Sequence, residues 1–182
     1  FNGYGYSNYN SFETCVFINN SASNHGGAIY YSRNIERNTL NNCVFVNNSA
    51  KANGGALYSY RNSNYNKYNN TVFIGNVATN NGGAVYIIGN NTHIYNCDFN
   101  NCIARDAGAL YVDGTGCSLY NSTFTNSGIK DGEIDYINGG TIYILGNNTV
   151  ISGCNISNTS ANQGGSIYVE GHNATIELSN IN

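Results

Sequence analysis

The sequence contains no Met, no Pro and no Trp, and it is poor in charge. Only 9% of its 182 residues are charged, and the formal net charge is −3. A chain with this charge has no electrostatic reason to bind nucleic acid or an anionic membrane surface. No apolar run approaches the ~20 residues that span a bilayer, and no signal-type apolar segment is present. We therefore expect no nucleic-acid partner and no membrane span in this segment, and we interpret the chain, which lacks an initiator Met, as part of a longer protein.

The residues that are abundant are Gly, with 22 positions, and Asn, with 37. They recur in a repeat, because FINNSASNHGGAIY at 17–30 returns as FVNNSAKANGGALY at 45–58 and as FIGNVATNNGGAVY at 73–86. The glycine pair and its sequel occur six times, at steps of 28, 28, 25, 32 and 25 residues; the first positions are Gly26, Gly54, Gly82, Ala107, Gly139 and Gly164. Self-similarity at this period indicates a solenoid whose units cannot bury their apolar faces alone.

The period inside each unit decides which solenoid this is. Apolar residues alternate around each Phe and again after each glycine pair, and period two is typical of strands. No unit carries an apolar stripe of period 3.6, and Asn and Gly are poor helix formers. The sequence therefore predicts an all-β, single-stranded parallel β-helix over residues 1–182, with six to seven coils of 25–32 residues and about three short strands in each.

Stacking the coils turns each repeated position into a column. Aromatic and aliphatic columns are expected inside, formed by the Phe17, Phe45 and Phe73 series and by the Leu40, Tyr68 and Ile94 series that continues to Ile176. Asn20, Asn48 and Asn76 are predicted to form an asparagine ladder with hydrogen bonds along the axis. The glycine column suits a corner that needs a positive φ or a close backbone approach.

The motif pair FxxN and GGA[ILV] resembles the repeat of the chlamydial polymorphic outer-membrane proteins, and the Asn-rich form with GGAIY and NCxFxNN is similar to adhesin-like surface proteins of methanogenic archaea. The motifs keep register at Phe17 with 26–29, Phe45 with 54–57 and Phe73 with 82–85, and later coils depart from them, as Ala107 does. The resemblance implies a right-handed β-helix that serves as a stalk, passenger or fibre segment of an extracellular, cell-surface adhesin. It supplies no catalytic residues and no cofactor.

Six cysteines in a small extracellular chain ordinarily suggest disulfides. Here four of them, Cys15, Cys43, Cys97 and Cys154, share the column two residues before the apolar marker, where other coils carry Thr71 and Ser122. The column interpretation favours free thiols, although Cys15 and Cys43 are close enough in Cα distance for a bridge.

A polysaccharide-active β-helix enzyme, of the lyase or glycoside hydrolase type, is the alternative function. Such an enzyme needs at least three acidic or basic side chains converging in one groove, whereas a structural coil needs only uniform ladders. The acidic residues cluster once, at Asp131, Glu133 and Asp135, inside a predicted protruding loop at 128–138 in the fifth coil. We interpret that loop as solvated, with weak Ca²⁺ binding as the alternative, and we expect the chain not to be an enzyme.

The sequence offers two further surface features. By alternation, a tyrosine follows the inward aliphatic residue in every coil, which predicts an exposed stripe able to pack against cell-surface carbohydrate or protein: Tyr30, Tyr58, Tyr86, Tyr111, Tyr143 and Tyr168. Nine N-x-S/T triplets are glycosylation candidates: Asn19, Asn47, Asn69, Asn90, Asn121, Asn147, Asn155, Asn158 and Asn173. The chain itself is the remaining expected partner, through further coils or head-to-tail stacking of copies.

Overall fold

The computed structural model describes residues 1–3, 8–129 and 138–182, and these form a β-solenoid of about six turns. Twenty-six short strands, β1 to β26 in chain order, pair in parallel and in register from coil to coil. The described residues contain no helix with the length and apolar character needed to cross a membrane. The predicted all-β parallel solenoid is confirmed.

Four sheets run along the solenoid, one strand of each sheet per coil. The first follows the glycine pairs and consists of β1 (Asn2–Gly3), β5 (Ile29–Tyr31), β9 (Leu57–Ser59), β13 (Val85–Ile87), β17 (Leu110–Val112), β21 (Ile142–Ile144) and β24 (Ile167–Val169). The second consists of β2 (Ser11–Glu13), β6 (Thr39–Asn41), β10 (Lys67–Asn69), β14 (His93–Tyr95), β18 (Ser118–Tyr120), β22 (Val150–Ser152) and β25 (Thr175–Glu177).

The third sheet carries the Phe markers and consists of β3 (Val16–Ile18), β7 (Val44–Val46), β11 (Val72–Ile74), β15 (Asp98–Asn100), β19 (Thr123–Thr125), β23 (Asn155–Ser157) and β26 (Asn180–Ile181). The fourth contains two-residue strands, β4 (Ser21–Ala22), β8 (Ser49–Ala50), β12 (Val77–Ala78), β16 (Ile103–Ala104) and β20 (Gly128–Ile129). The first five coils thus have four strands rather than about three, because a two-residue pairing is too short to leave an alternating sequence pattern, whereas the coil that begins with β21 has three.

The corners between the strands explain the abundance of Asn. Each corner places a residue at positive φ, and among the described residues fourteen of the twenty non-glycine residues in this conformation are Asn. Asn tolerates the left-handed region better than most L-residues because its short side chain hydrogen-bonds locally. At the corner that precedes the first sheet, Gly54 has φ +64°, and a Cβ on the following Gly55 would overlap the carbonyl oxygen of Gly83 in the next coil. The pair therefore combines a positive φ with a close approach, as predicted.

The interior is a stack of apolar columns. Phe45, Phe73, Phe99 and Phe124 are fully buried, and successive rings of the Phe column stack with centroids 4.5–4.9 Å apart. The second column is also inside, from Leu40 to Ile151. Its next member, Ile176, is 43% exposed because the last described coil is covered on one side only.

The asparagine ladder is confirmed in the first three coils. Asn20 Nδ2 donates to Asn48 Oδ1 at 2.8 Å, and Asn48 Nδ2 donates to Asn76 Oδ1 at 3.0 Å. A second ladder, which the sequence analysis missed, runs through Asn10, Asn38 and Asn66 with amide distances of 2.7 and 2.8 Å. Both ladders satisfy buried amides between coils, which is the condition for placing Asn inside a solenoid.

All six cysteines are free thiols in the structure. Cys97 Sγ donates to the carbonyl of Tyr95 at 3.3 Å, and Thr71 and Ser122 in the same column make the equivalent bond to the carbonyl two residues earlier, each at 2.9 Å. Cys, Thr and Ser in this column therefore all donate the same hydrogen bond to the backbone carbonyl two residues earlier. Burial raises the pKa of Cys97 to about 12, so the thiol stays protonated and unreactive at neutral pH.

Candidate functional site

The tyrosine column is present, and its rings form a cluster separate from the main core. Successive rings lie with centroids 5.4, 5.2, 4.6, 4.6 and 4.9 Å apart, and all pairs except the last, Tyr143 with Tyr168, are nearly parallel. The outer position follows from strand alternation, since the aliphatic residue before each tyrosine is in the core.

The expectation that this stripe is exposed is wrong for its four central rings. Tyr58, Tyr86, Tyr111 and Tyr143 are only 4–9% exposed. Neighbouring rings cover both faces of each one, and Tyr60, Ile88 and Ala107 pack against the same cluster. The faces that would stack on a sugar are thus already occupied.

Burial also determines the chemistry of the tyrosine column. Burial, and next the charge of Asp113, raise the pKa of Tyr111 to about 12. Tyr58 and Tyr86 shift in the same direction, again chiefly through burial. The phenols stay protonated at neutral pH, so the column offers neither a base nor a nucleophile there.

The predicted acidic cluster, Asp131, Glu133 and Asp135, lies outside the described residues, and Ca²⁺ binding there stays a prediction. At the edges of the predicted 128–138 loop, Gly128–Ile129 form β20, and Asn138 forms a bridge with Gln163. Within residues 1–3, 8–129 and 138–182, no group of three His, Cys, Asp or Glu side chains is placed to hold a metal ion.

Most of the glycosylation candidates are at the surface. Asn69 is half-buried, and the other eight are exposed: Asn19, Asn47, Asn90, Asn121, Asn147, Asn155, Asn158 and Asn173. Asn90 and Asn147 each accept a backbone hydrogen bond from the next coil through Oδ1, at 2.9 and 2.8 Å. Glycosylation modifies Nδ2 and would leave these bonds in place, so modification at both sites stays a prediction.

The structure also contains a surface groove that the sequence analysis did not identify. We call it the cationic groove; it has a volume of about 400 Å³ and is lined by Tyr9, Arg37, Thr39, Tyr65, Lys67 and His93. It spans four coils at the corner between the first and second sheets, with Tyr9 in the first coil and His93 in the fourth. Thr39, Lys67 and His93 begin consecutive strands of the second sheet and pair in register. They point outward because the next residue of each strand is buried in the core.

The guanidinium of Arg37 lies between two tyrosine rings. Its Cζ is 4.8 Å from the centroid of Tyr65 and 6.0 Å from that of Tyr9, which is within the range of cation–π attraction. The three side chains come from equivalent positions 28 residues apart. The repetition of Ser7-Asn8-Tyr9-Asn10 as Ser63-Asn64-Tyr65-Asn66 was the signal that could have identified this site.

The positive charge of the groove comes from Arg37 and Lys67. Burial, and next the charge of Lys67, lower the pKa of His93 below its ordinary value, so its ring is mostly neutral at pH 7. His93 Nδ1 lies 2.6 Å from Ser118 Oγ. The nearby Glu36 is engaged elsewhere, because its Oε1 accepts a hydrogen bond from Asn64 Nδ2 at 3.0 Å.

A second unpredicted feature is an apolar patch on the outer face of the third and fourth sheets. Val16, Ile18, Ile74 and Val77 are 38–61% exposed. The signal was the run of three apolar residues in β3, β7 and β11, which makes both strand faces apolar.

A family model described as the Chlamydia polymorphic membrane protein (Chlamydia_PMP) repeat matches residues 14–32, 42–60 and 70–88. Each matched stretch runs through the third, fourth and first sheets of one coil and includes its glycine pair. The search of curated proteins and the search of solved structures returned no match. The repeat is thus of the polymorphic-membrane-protein type in three consecutive coils, and the residues that line the cationic groove all lie outside the matched stretches.

Proposed function

We propose that this chain is a structural and adhesive β-helix element of an extracellular cell surface, acting as a stalk, passenger or fibre segment. The observation that carries the proposal is the match of three consecutive coils to a membrane-protein repeat within a uniformly stacked solenoid. The family's description as a polymorphic membrane protein supports a surface location. The resemblance to archaeal adhesin-like proteins finds no support in the comparisons, so the proposal does not include it.

Uniform register makes the element extendable. Every inward column pairs with its counterpart one coil away, as Phe45 does with Phe73 and Leu57 does with Val85. A further coil, from the same polypeptide or from a stacked copy, adds by the same hydrogen bonds and the same ring stacking. The resulting object is a stiff rod that grows by about 4.8 Å per coil and displays the exposed Asn sites as possible glycan positions.

Electron microscopy and fibre diffraction of the native material test this proposal. We expect rods with an axial reflection near about 4.8 Å, and labelling of intact cells by an antibody against this segment. Compact particles without that reflection, or labelling only after cells are broken open, would contradict it.

The alternative, a polysaccharide-active enzyme, is favoured by one observation. The cationic groove gathers Arg37, Lys67 and His93, which meets the condition of three converging charged or titratable groups. Among the residues that the structure describes, no carboxylate lines this groove, whereas a glycoside hydrolase uses a pair of acids. Incubation with acidic polysaccharides, followed by assays for unsaturated products and new reducing ends, decides between the two. We expect no cleavage.

A further inference from the structure

The cationic groove occupies a corner where the fold itself favours other residues. Its corner positions have φ +61° at Tyr9, +58° at Arg37 and +59° at Tyr65, and later coils place Asn or Gly there: Asn91, Gly116, Asn148 and Asn173. Bulky side chains in the left-handed region cost free energy relative to Asn or Gly. Three such residues in consecutive coils therefore indicate a role for their side chains beyond forming the turn.

The two cations of the groove have no carboxylate partner among the residues that the structure describes. In that part of the chain the only ion pair joins Arg105 to Asp106. Stacking of Arg37 between tyrosine rings occupies the faces of the guanidinium and leaves the N–H donors at its edge. Lys67 is exposed beside it. The groove thus presents charge-assisted donors to a ligand anion.

The shape and the surroundings restrict the ligand. A volume of about 400 Å³ exceeds what an inorganic anion fills. The rings of Tyr9 and Tyr65 are 72% and 43% exposed, so unlike the tyrosine column they retain apolar surface for the C–H face of a sugar ring. The hydroxyl of Thr39 adds a hydrogen-bonding group. Net charge does not separate nucleic acid from an acidic glycan, because both are anionic; residues 1–96, which contain the groove, carry five Lys or Arg against two Asp or Glu. A single-stranded oligonucleotide is therefore needed among the probes.

We propose that the cationic groove binds an acidic sugar of a glycan chain, with Arg37 and Lys67 pairing its carboxylate or sulfate group and an exposed tyrosine ring packing against the pyranose. This proposal rests on the proposed adhesive function and names acidic glycans as the class of ligand that the element binds. The site requires only four folded coils, so its test is independent of rod formation and of cell-surface location.

Binding of defined oligosaccharides to the purified chain tests the site. The probes are a uronate oligomer, a sulfated glycosaminoglycan oligomer, a neutral oligosaccharide of equal length, a single-stranded oligonucleotide and inorganic sulfate alone, measured by calorimetry at low salt. We expect binding of the uronate or the sulfated probe, weakened by added salt, and no binding of the neutral probe. Preference for one acidic probe identifies the anion.

Variants distinguish this site from general charge attraction. Arg37→Asn supplies the residue that Asn91 and Asn148 place at the same corner, so its fold should be kept, and it should weaken binding at least about tenfold. Lys67→Gln should weaken it similarly, whereas Lys51→Gln, a matched loss of one exposed charge outside the groove, should change it less than about twofold. Circular dichroism checks the fold of each variant.

The proposal is overturned if no acidic probe binds, or if Lys51→Gln weakens binding as much as Arg37→Asn does. Equal affinity for the oligonucleotide would also contradict the proposal, because it would indicate a surface that binds any polyanion. Full competition by inorganic sulfate would contradict it as well, because the sugar ring would then contribute nothing to binding. Cleavage of a probe would replace the binding site by the enzymatic alternative.

Discussion

Truncation of Phe45 to Ala tests the core on which the columns depend. The side chain is fully buried, and its ring lies 4.5 Å from that of Phe17 and 4.9 Å from that of Phe73. Phe→Ala in a packed core costs about 3–5 kcal/mol, with the larger values where the site cannot collapse. Backbone hydrogen bonds on both sides fix the spacing of the neighbouring coils, since Val44 N donates to the carbonyl of Cys15 at 2.8 Å and Val72 N donates to the carbonyl of Cys43 at 2.9 Å. We therefore expect a loss near 4 kcal/mol, in the middle to upper part of that range.

Urea unfolding followed by circular dichroism measures this loss. Val44→Ala is the matched control, because Val44 is the preceding residue of the same strand, points outward and is half-buried. It should cost about 1 kcal/mol or less. Hydrogen exchange should show whether the coils around Phe45 open before the rest, since solenoids can lose cooperativity. If Phe45→Ala costs less than about 1 kcal/mol, or no more than the control, the Phe column does not carry the core.

Three further predictions concern the corner, the thiols and the tyrosine column. Gly55→Ala should destabilise the fold more than Gly54→Ala in urea unfolding. A Cβ at Gly55 overlaps the backbone of the next coil, whereas a Cβ at Gly54 overlaps the carbonyl of Leu57 in its own turn, and Ala107 at φ +55° shows that this turn can accommodate a Cβ. Equal losses would contradict this difference between the two contacts. Mass measurement after unfolding and alkylation without reductant should find most of the six thiols free, and protection of all six would contradict the column interpretation. In an absorbance titration Tyr111 should ionise near pH 12 rather than 10. Because its pKa is raised in the folded state, the stability that Tyr111 contributes is complete below pH 10 and falls as the pH rises to about 12. Simultaneous ionisation of all tyrosines near pH 10 would contradict the burial of Tyr111.

The positions of the inward-facing side chains were predictable because each position of the repeat occurs several times in the sequence. Phe17, Phe45 and Phe73 at equal spacing fix the register of the third sheet, and alternation then assigns the neighbouring side chains to inside or outside. The asparagine ladder follows from the same register. The second ladder, through Asn10, Asn38 and Asn66, keeps the same 28-residue spacing, but it lies outside the FxxN and GGA[ILV] motifs that defined the repeat and was therefore missed.

The exposure of the outward-facing side chains was less predictable, because strand alternation indicates on which side of a sheet a residue lies but not which other side chains cover it. The central rings of the tyrosine column are buried because they stack on one another and because Tyr60 and Ile88 of a neighbouring column pack against them. Conversely, Arg37 reaches Tyr9 and Tyr65 only because the corner path brings equivalent positions of three coils together. The first outcome depends on ring stacking within the tyrosine column and on contacts with a neighbouring column, and the second on contacts between unlike residues of one column in successive coils. A single unit of the repeat encodes neither.

Stability and recognition are separable in this architecture because they reside in different columns. The inward Phe column stays apolar through all coils, with Ile156 in place of Phe in the sixth, since truncation there leaves a cavity between two coils that cannot close it. Outward positions are free to change: the third sheet places Val16, Val44 and Val72 on its surface in the first three coils, and Asp98 and Thr123 at the same position in the next two. The cationic groove and the apolar patch lie in or beside those first three coils, which also contain the stretches matched by the repeat family. The first three coils are therefore where a partner of this protein should be sought.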